Sequence, residues 1–292
     1  MSETRGPFDP AARKERISEG WDSIAEKWDS WAPVVNEWFA PATAVLLDLV
    51  ELKSGERVLE LATGTGGLTV QLARTVGPDG RVVATDIGPN MVKLLARKAR
   101  AAGFANVLAR VMDGESPDLT WASMDVVVCR QGFMFFADPA AALERLFRIL
   151  RPSGRIGLTV FSTPARNGFM AVPLSILSRW GKPESDPDTP PGGPGPFSIS
   201  KPGQLEEMLV RAGFIDVRSR MVPSPLRVRT NEELLRFHRD LLGDLVSDLV
   251  PAEQERAWGA VAEATRQYTG ADSVEAPCEL LVVSGRRPPS PA

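Results

Sequence analysis

Histidine and cysteine are nearly missing from this chain of 292 residues, which has one histidine, His238, and two cysteines, Cys129 and Cys278. A histidine-rich zinc site is therefore excluded, and no metal is expected. Each cysteine flanks an apolar stretch, so the two read as buried thiols in a reducing compartment and not as a disulfide. An excess of one charge is missing too. Acidic residues number 37 against 34 basic ones, a net charge of −3, and no basic run forms an arm. That balance leaves no electrostatic footprint for a polyanion, so no nucleic-acid partner is expected. No apolar run is long enough to span a bilayer, and no secretory leader pattern opens the chain. A cytoplasmic protein without a membrane span is the resulting expectation.

What is present is an ordinary globular composition, 43% hydrophobic and 24% charged, with enough length for a sizeable core. Residues 1–15 read as a polar tail, and 16–50 carry helical periodicity with tryptophans at 21, 28, 31 and 38. From residue 57 strands and helices alternate. Strands are expected at 57–62, 81–86, 107–111, 125–129 and 155–161, with helices between them. This alternation calls for a doubly wound, Rossmann-like α/β sheet. The pattern breaks at 163–200, where an amphipathic piece, Phe169–Trp180, precedes a Pro/Gly-rich loop. A helix and strand resume at 204–221, two helices occupy 231–269, and a last strand covers 278–285. The expected organisation is a helical cap (1–50), a core (51–162), a lid insertion (163–200) and a core continuation (201–222). A helical lid (223–276), a final strand (277–286) and a disordered tail (287–292) complete it.

Glycines punctuate the end of the first strand: Val58-Leu59-Glu60-Leu61-Ala62-Thr63-Gly64-Thr65-Gly66-Gly67-Leu68-Thr69. Glycine lets a backbone turn sharply and approach a ligand closely. A dinucleotide fold would place a third glycine where Thr69 stands, beneath a pyrophosphate. Glu60 is also wrong for a phosphate and suits a ligand bearing an ammonium group. Asp86 ends the second strand, about twenty residues past the loop, where a carboxylate can accept both hydroxyls of a ribose. It would otherwise serve as a helix N-cap. Ile87 would flank the base. After the third strand, Asp113 could accept from an adenine amine and Met112 could pack on the ring, or Asp113 could simply occupy a turn.

With these residues the chain resembles the class I S-adenosylmethionine-dependent methyltransferases, in the group around the ubiquinone/menaquinone C-methyltransferases. The resemblance rests on the glycine stretch, on Thr85-Asp86-Ile87-Gly88-Pro89-Asn90-Met91, on Asp113-Gly114-Glu115, on Asp125 through Gly132, and on Leu150-Arg151-Pro152-Ser153-Gly154-Arg155. It covers residues 57–161 and loosely 204–217. The implied fold is a seven-stranded sheet with its last strand antiparallel. The implied cofactor is S-adenosylmethionine, with Glu60, Ala62, Gly64 and Gly66 around its methionine end and Asp86 at the ribose. Asp113 and Gly114 would hold the adenine, Arg130 and Gln131 would border the cofactor near the methyl, and Met91 is a further cofactor-binding candidate beside Ile87 and Met112. Ala62 stands where many class I enzymes have a glycine, and alanine there is typical of the quinone group.

Methyl transfer from a sulfonium asks mainly for alignment and exclusion of water, with a base only where the acceptor must lose a proton. His238 is the one candidate base, set against a role as a solvated lid residue. Trp28, Phe133, Phe135, Phe136, Phe169 and Phe197 would line a pocket for a small hydrophobic acceptor, such as an aromatic polyketide, quinone or terpenoid. O- or C-methylation is favoured, in secondary metabolism, and homodimerisation is left open. Two alternatives stand beside it: a methyltransferase-like protein that catalyses cyclisation, and an NAD-dependent oxidoreductase.

Overall fold

The computed structural model describes residues 10–180 and 194–290. Its centre is a seven-stranded sheet of order β3-β2-β1-β4-β5-β9-β6. The strands are β1 (Arg57–Leu61), β2 (Arg81–Asp86), β3 (Val107–Val111), β4 (Met124–Arg130), β5 (Leu150–Phe161), β6 (Ile215–Pro223) and β9 (Glu279–Arg286). β1 through β5 pair in parallel, and β9 runs antiparallel between β5 and β6. Val58 to Leu61 of β1 and Val126 to Cys129 of β4 are buried throughout, as a sheet covered on both faces demands. Strand order reverses between β1 and β4. A crevice opens there at the carboxyl ends of the strands, where ligands of open α/β sheets bind.

Helices α4 (Thr69–Val76), α5 (Pro89–Ala101), α6 (Pro139–Ile149) and α8 (Gln204–Arg211) connect the strands. Pro89 and Pro139 each open a helix, where the missing N–H costs nothing. Asp138 caps α6 by accepting from the Ala141 N–H.

Three groups of elements roof the crevice. The first is α1 (Pro10–Ser23), α2 (Ala25–Ser30) and α3 (Ala32–Leu49). α1 begins at Pro10, so residues 10–15, expected as tail, are helical. α3 packs on β5, β6 and β9 through residues such as Leu46 and Leu49. The second is α7 (Gly168–Trp180), the expected amphipathic piece. Most of the Pro/Gly-rich loop after it, 181–193, lies outside the described residues. The third is α9 (Asn231–Leu242) and α10 (Pro251–Thr265), which pack with α7 around Leu177, Val246 and Trp258. Strands β7 (Leu226–Val228) and β8 (Val274–Ala276) pair at the base of this last group, so the segment expected to be purely helical carries a small sheet of its own. Residue 287, expected to begin a disordered tail, is held by hydrogen bonds. The Arg287 guanidinium donates to the Phe147 and Leu150 carbonyls, and its backbone N–H to Gly154. Among the described residues no helix is long and apolar enough to cross a membrane.

Candidate active site

A cavity of about 400 Å³ fills the crevice. Its floor is the turn after β1, Ala62 to Gly67, and the ends of β2 and β4. Its roof comes from α1, α2, α3, α7 and the turn after α9. Most of the expected cofactor residues border it: Glu60, Ala62, Gly64, Asp86, Ile87, Met91, Met112, Asp113, Gly114, Arg130 and Gln131.

Gly66 does not border the cavity; it shapes the turn from behind. Its φ is +90°, and a Cβ on it would lie 2.5 Å from Leu95 Cδ1 of α5. Ala62 and Gln131 adopt φ of 49° and 62°, a left-handed conformation that costs a non-glycine residue free energy. Both follow a central strand and both face the cavity. The Gln131 N–H is held by the Thr159 carbonyl, and its side-chain amide donates to Thr159 Oγ1.

Glu60 is buried, at 1% exposure. Thr69 Oγ1 donates to its Oε2 at 2.6 Å, and the Thr63 hydroxyl joins Thr69 at 2.7 Å. Burial outweighs these hydrogen bonds and the nearby Arg130 charge, and pushes the carboxyl up to about 7. The carboxylate is thus supplied with hydroxyl donors but, among the described residues, makes no ion pair.

Asp86 ties the floor together. Its Oδ2 accepts from the Gly64 N–H at 2.8 Å and its Oδ1 from the Gly88 N–H at 3.0 Å. Gly88, not Asp86, is the N-cap of α5. Burial raises the Asp86 carboxyl against these backbone donors. Asp113 Oδ2 receives Lys14 Nζ of α1 at 2.9 Å, and its Oδ1 receives the Glu115 N–H. Glu115 is structural: its carboxylate accepts the Ala137 and Asp138 N–H groups and so joins the turns after β3 and β4.

The expected acceptor residues divide. Trp28, Phe135 and Phe136 line the cavity. Phe133 and Phe169 are fully buried core instead, Phe133 against Phe136 and Phe169 against Trp38 and Phe161. Phe197 packs on Phe161 and does not reach the cavity. His238 is also misplaced by the sequence reading. It is neither solvated nor in the cavity: it is fully buried in α9, with Nε2 2.7 Å from the Phe169 carbonyl oxygen, and burial pushes it down to about 4. A base for an acceptor in this cavity it is not. The apolar wall is built instead by Val35, Trp38, Phe39, Phe161, Met170, Leu174, Leu241, Leu242 and Leu245, with Asn36 and Asp244 as polar members. Helical spacing of Val35, Trp38 and Phe39 signals one buried face, but not that this face meets a ligand.

A family profile described as a methyltransferase domain matches residues 52–171. The nocamycin O-methyltransferase of Saccharothrix syringae is 32% identical over 265 residues, spanning 87% of this chain and 93% of that protein. The demethylmenaquinone methyltransferase of Deinococcus radiodurans is 33% identical over 179 residues, 59% of this chain and 71% of that one. A solved S-adenosylmethionine-dependent methyltransferase of Aquifex aeolicus shares the fold at a TM-score of 0.51 and 23% identity, covering 70% of this chain and 92% of that one. An extended match over most of the chain, on a seven-stranded sheet whose switch-point turn carries a buried carboxylate and no phosphate pattern, places this chain among the class I S-adenosylmethionine-dependent methyltransferases.

Proposed function

We propose that the chain methylates an oxygen of a small, largely apolar molecule that sits under the lid helices. The observation that carries this reading is the cavity itself. One end is lined by Glu60, Asp86 and Asp113 at the tips of β1, β2 and β3. The other is walled by aromatic and aliphatic side chains from α3, α7 and α9. Such a wall favours an apolar acceptor with few polar contacts. Oxygen is favoured over carbon because the relative named for O-methylation matches over 87% of the chain, whereas the quinone relative matches over 59%.

The residues present suit the methyl donor. Glu60, buried without an ion pair among the described residues, takes its ammonium; Asp86 accepts from the ribose hydroxyls; Asp113 accepts from the adenine amine while Met112 packs beside the ring. The donor, when bound, supplies an electrophilic methyl on a sulfonium. The chain aligns the acceptor against it and excludes water with the tryptophans of the roof. Asp244 is the one carboxylate on the acceptor side among the described residues, and it stands exposed at the rim. An acceptor oxygen that ionises readily, as in a phenol or enol, needs no buried base. The test is a panel of phenols, enols, quinones and amines offered with donor labelled in its methyl group, with the label located in the product. Label on oxygen supports the reading; label on carbon or nitrogen alone overturns it.

A further inference from the structure

Helix α3 turns Ala32, Val35, Asn36, Trp38 and Phe39 to the cavity, and Asn36 is the one amide among them. It is half-buried, and its side chain makes no hydrogen bond among the described residues. Its Oδ1 stands in the space that a Cβ on Gly67 would take, and Arg130 Nη2 lies 3.0 Å from that same point. The amide oxygen is thus turned to the glycine turn and to the guanidinium, which leaves the Nδ2 hydrogens unclaimed. Gln131, the other amide on the cavity, spends its Nε2 on Thr159. Asn36 is therefore a free amide donor where the apolar wall meets the turn after β1. A second feature belongs to the same end of the cavity. Among the described residues it has no buried base, because His238 is sealed in the core and Asp244 stands exposed at the rim.

We infer that the acceptor is an acid whose anion is shared between two oxygens, and that Asn36 Nδ2 donates to the oxygen that does not take the methyl. The inference rests on the oxygen reading given above. A simple phenol ionises near tyrosine's value of about 10, so with no base beside it almost none is ionised at pH 7. A carboxylic acid has already lost its proton to solvent at that pH, and so has the enol of a 1,3-dicarbonyl, its vinylogue. Both spread the charge over two oxygens. One oxygen forms the bond to the methyl carbon while the S–C bond breaks, and that bond's electron pair stays on sulfur as the thioether. The second oxygen becomes an ordinary carbonyl. A fixed N–H on the second oxygen decides which of the two is presented to the methyl. A hydrogen bond to an anion is stronger than one to a neutral oxygen, so an amide placed in an apolar wall selects the anion. Arg130 acts in the same sense. Its guanidinium, held by Thr43 Oγ1 and the Phe39 face, stands over the same turn and makes the local potential positive.

Calorimetry on the full chain saturated with S-adenosylhomocysteine tests it with three probes at pH 7.5. They are 2-naphthoate, the enolate of 2-acetylindane-1,3-dione, and 2-naphthol, which has similar apolar bulk but a single oxygen. The wild type should bind at least one of the two anions more tightly than 2-naphthol, and the preferred anion tells carboxylate from enolate. Asn36→Leu should weaken that anion about tenfold and leave 2-naphthol within about twofold. Its affinity for S-adenosylhomocysteine should match the wild type, which is also the control for folding. Three outcomes overturn the inference: no anion preference in the wild type or no binding of any probe, a preference that survives Asn36→Leu, or a loss in Asn36→Leu that extends to S-adenosylhomocysteine. The labelled panel separates these from failure of the oxygen reading itself. Label on oxygen with no anion preference overturns this inference alone, whereas label only on carbon or nitrogen overturns the reading beneath it.

Discussion

Thr69 Oγ1 donates a 2.6 Å hydrogen bond to Glu60 Oε2, from the first turn of α4 to the buried carboxylate of β1. Thr69 stands where a dinucleotide fold has its third glycine. The exchange is chemical as well as steric: a hydroxyl at that point stabilises an acid that a phosphate site would reject. Burial outweighs the threonine donors and the nearby Arg130 charge, and pushes Glu60 up to about 7.

The donor affinity should therefore depend on pH. Glu60 in the folded protein titrates at about 7 against an ordinary value of 4.5, so its neutral form is the favoured one. Its contribution to stability is present below the ordinary value and is lost as pH rises through 7, by roughly 3 kcal/mol. An ammonium beside it reverses that preference. Affinity for S-adenosylhomocysteine should fall by up to about tenfold for each pH unit below 7. Glu60→Gln should flatten this profile, and Thr69→Val should move it to higher pH. Calorimetry between pH 5 and 8 checks all three; a flat wild-type profile would show that no ammonium meets Glu60.

Gly66→Ala should destabilise the fold and weaken donor binding together. At φ +90° alanine is strained, and its Cβ would press on Leu95. Strain of this kind costs about 1–3 kcal/mol. Thermal unfolding and titration of the same preparation measure both effects; an unchanged melting temperature would contradict the packing described.

His238 should matter for acid stability and not for turnover. Its folded value near 4 lies below the ordinary 6.5, so the neutral ring is favoured. Its contribution is present above 6.5 and is lost as pH falls toward 4, at about 1.4 kcal/mol per unit. His238→Leu should cost about 1–3 kcal/mol at pH 8, through the lost hydrogen bond to Phe169, and should flatten the acid limb of the stability curve. Its turnover at saturating donor should stay within about twofold of the wild type, since the ring is packed in the core away from the reacting groups. Denaturant melts across pH and a rate measurement decide the point.

Lys14 ties α1 to Asp113 and Glu115, the carboxylates after β3. The pair is partly exposed, so solvent screens it, and its loss should cost at most about 1 kcal/mol. Lys14→Met should speed S-adenosylhomocysteine release by about two- to fivefold and reduce the salt dependence of that rate. Stopped-flow fluorescence of the roof tryptophans is the readout. A release rate unmoved by the substitution would leave α1 without a role in closure.

The cavity end lined by Glu60, Asp86 and Asp113 was legible because these residues stand at strand ends, and strand ends can be found from apolar runs. Glu60, Asp86 and Asp113 follow from that logic. The apolar end follows no such rule. Phe133 sits at a strand end like Phe135, yet a 3₁₀ turn over Phe133–Phe135 sends one ring into the core and the other to the cavity. Lys14 meets Asp113 across 99 residues of sequence, and Thr43 meets Arg130 across 87. Such pairings depend on how α1 and α3 cross the sheet, which periodicity does not encode. His238 misled for a related reason. A lone histidine in an amphipathic helix can face either way, and only the packing of α9 on Phe169 decides it.

The most direct test of methyl transfer uses donor with a trideuterated methyl group and one accepted substrate from the panel. The mass of the product and the yield of S-adenosylhomocysteine are then read from the same reaction. The account predicts a product heavier by one trideuterated methyl in place of hydrogen, with one S-adenosylhomocysteine formed per product. A substrate converted at unchanged mass, with the donor intact, would contradict it and make the fold a shaped pocket for cyclisation instead.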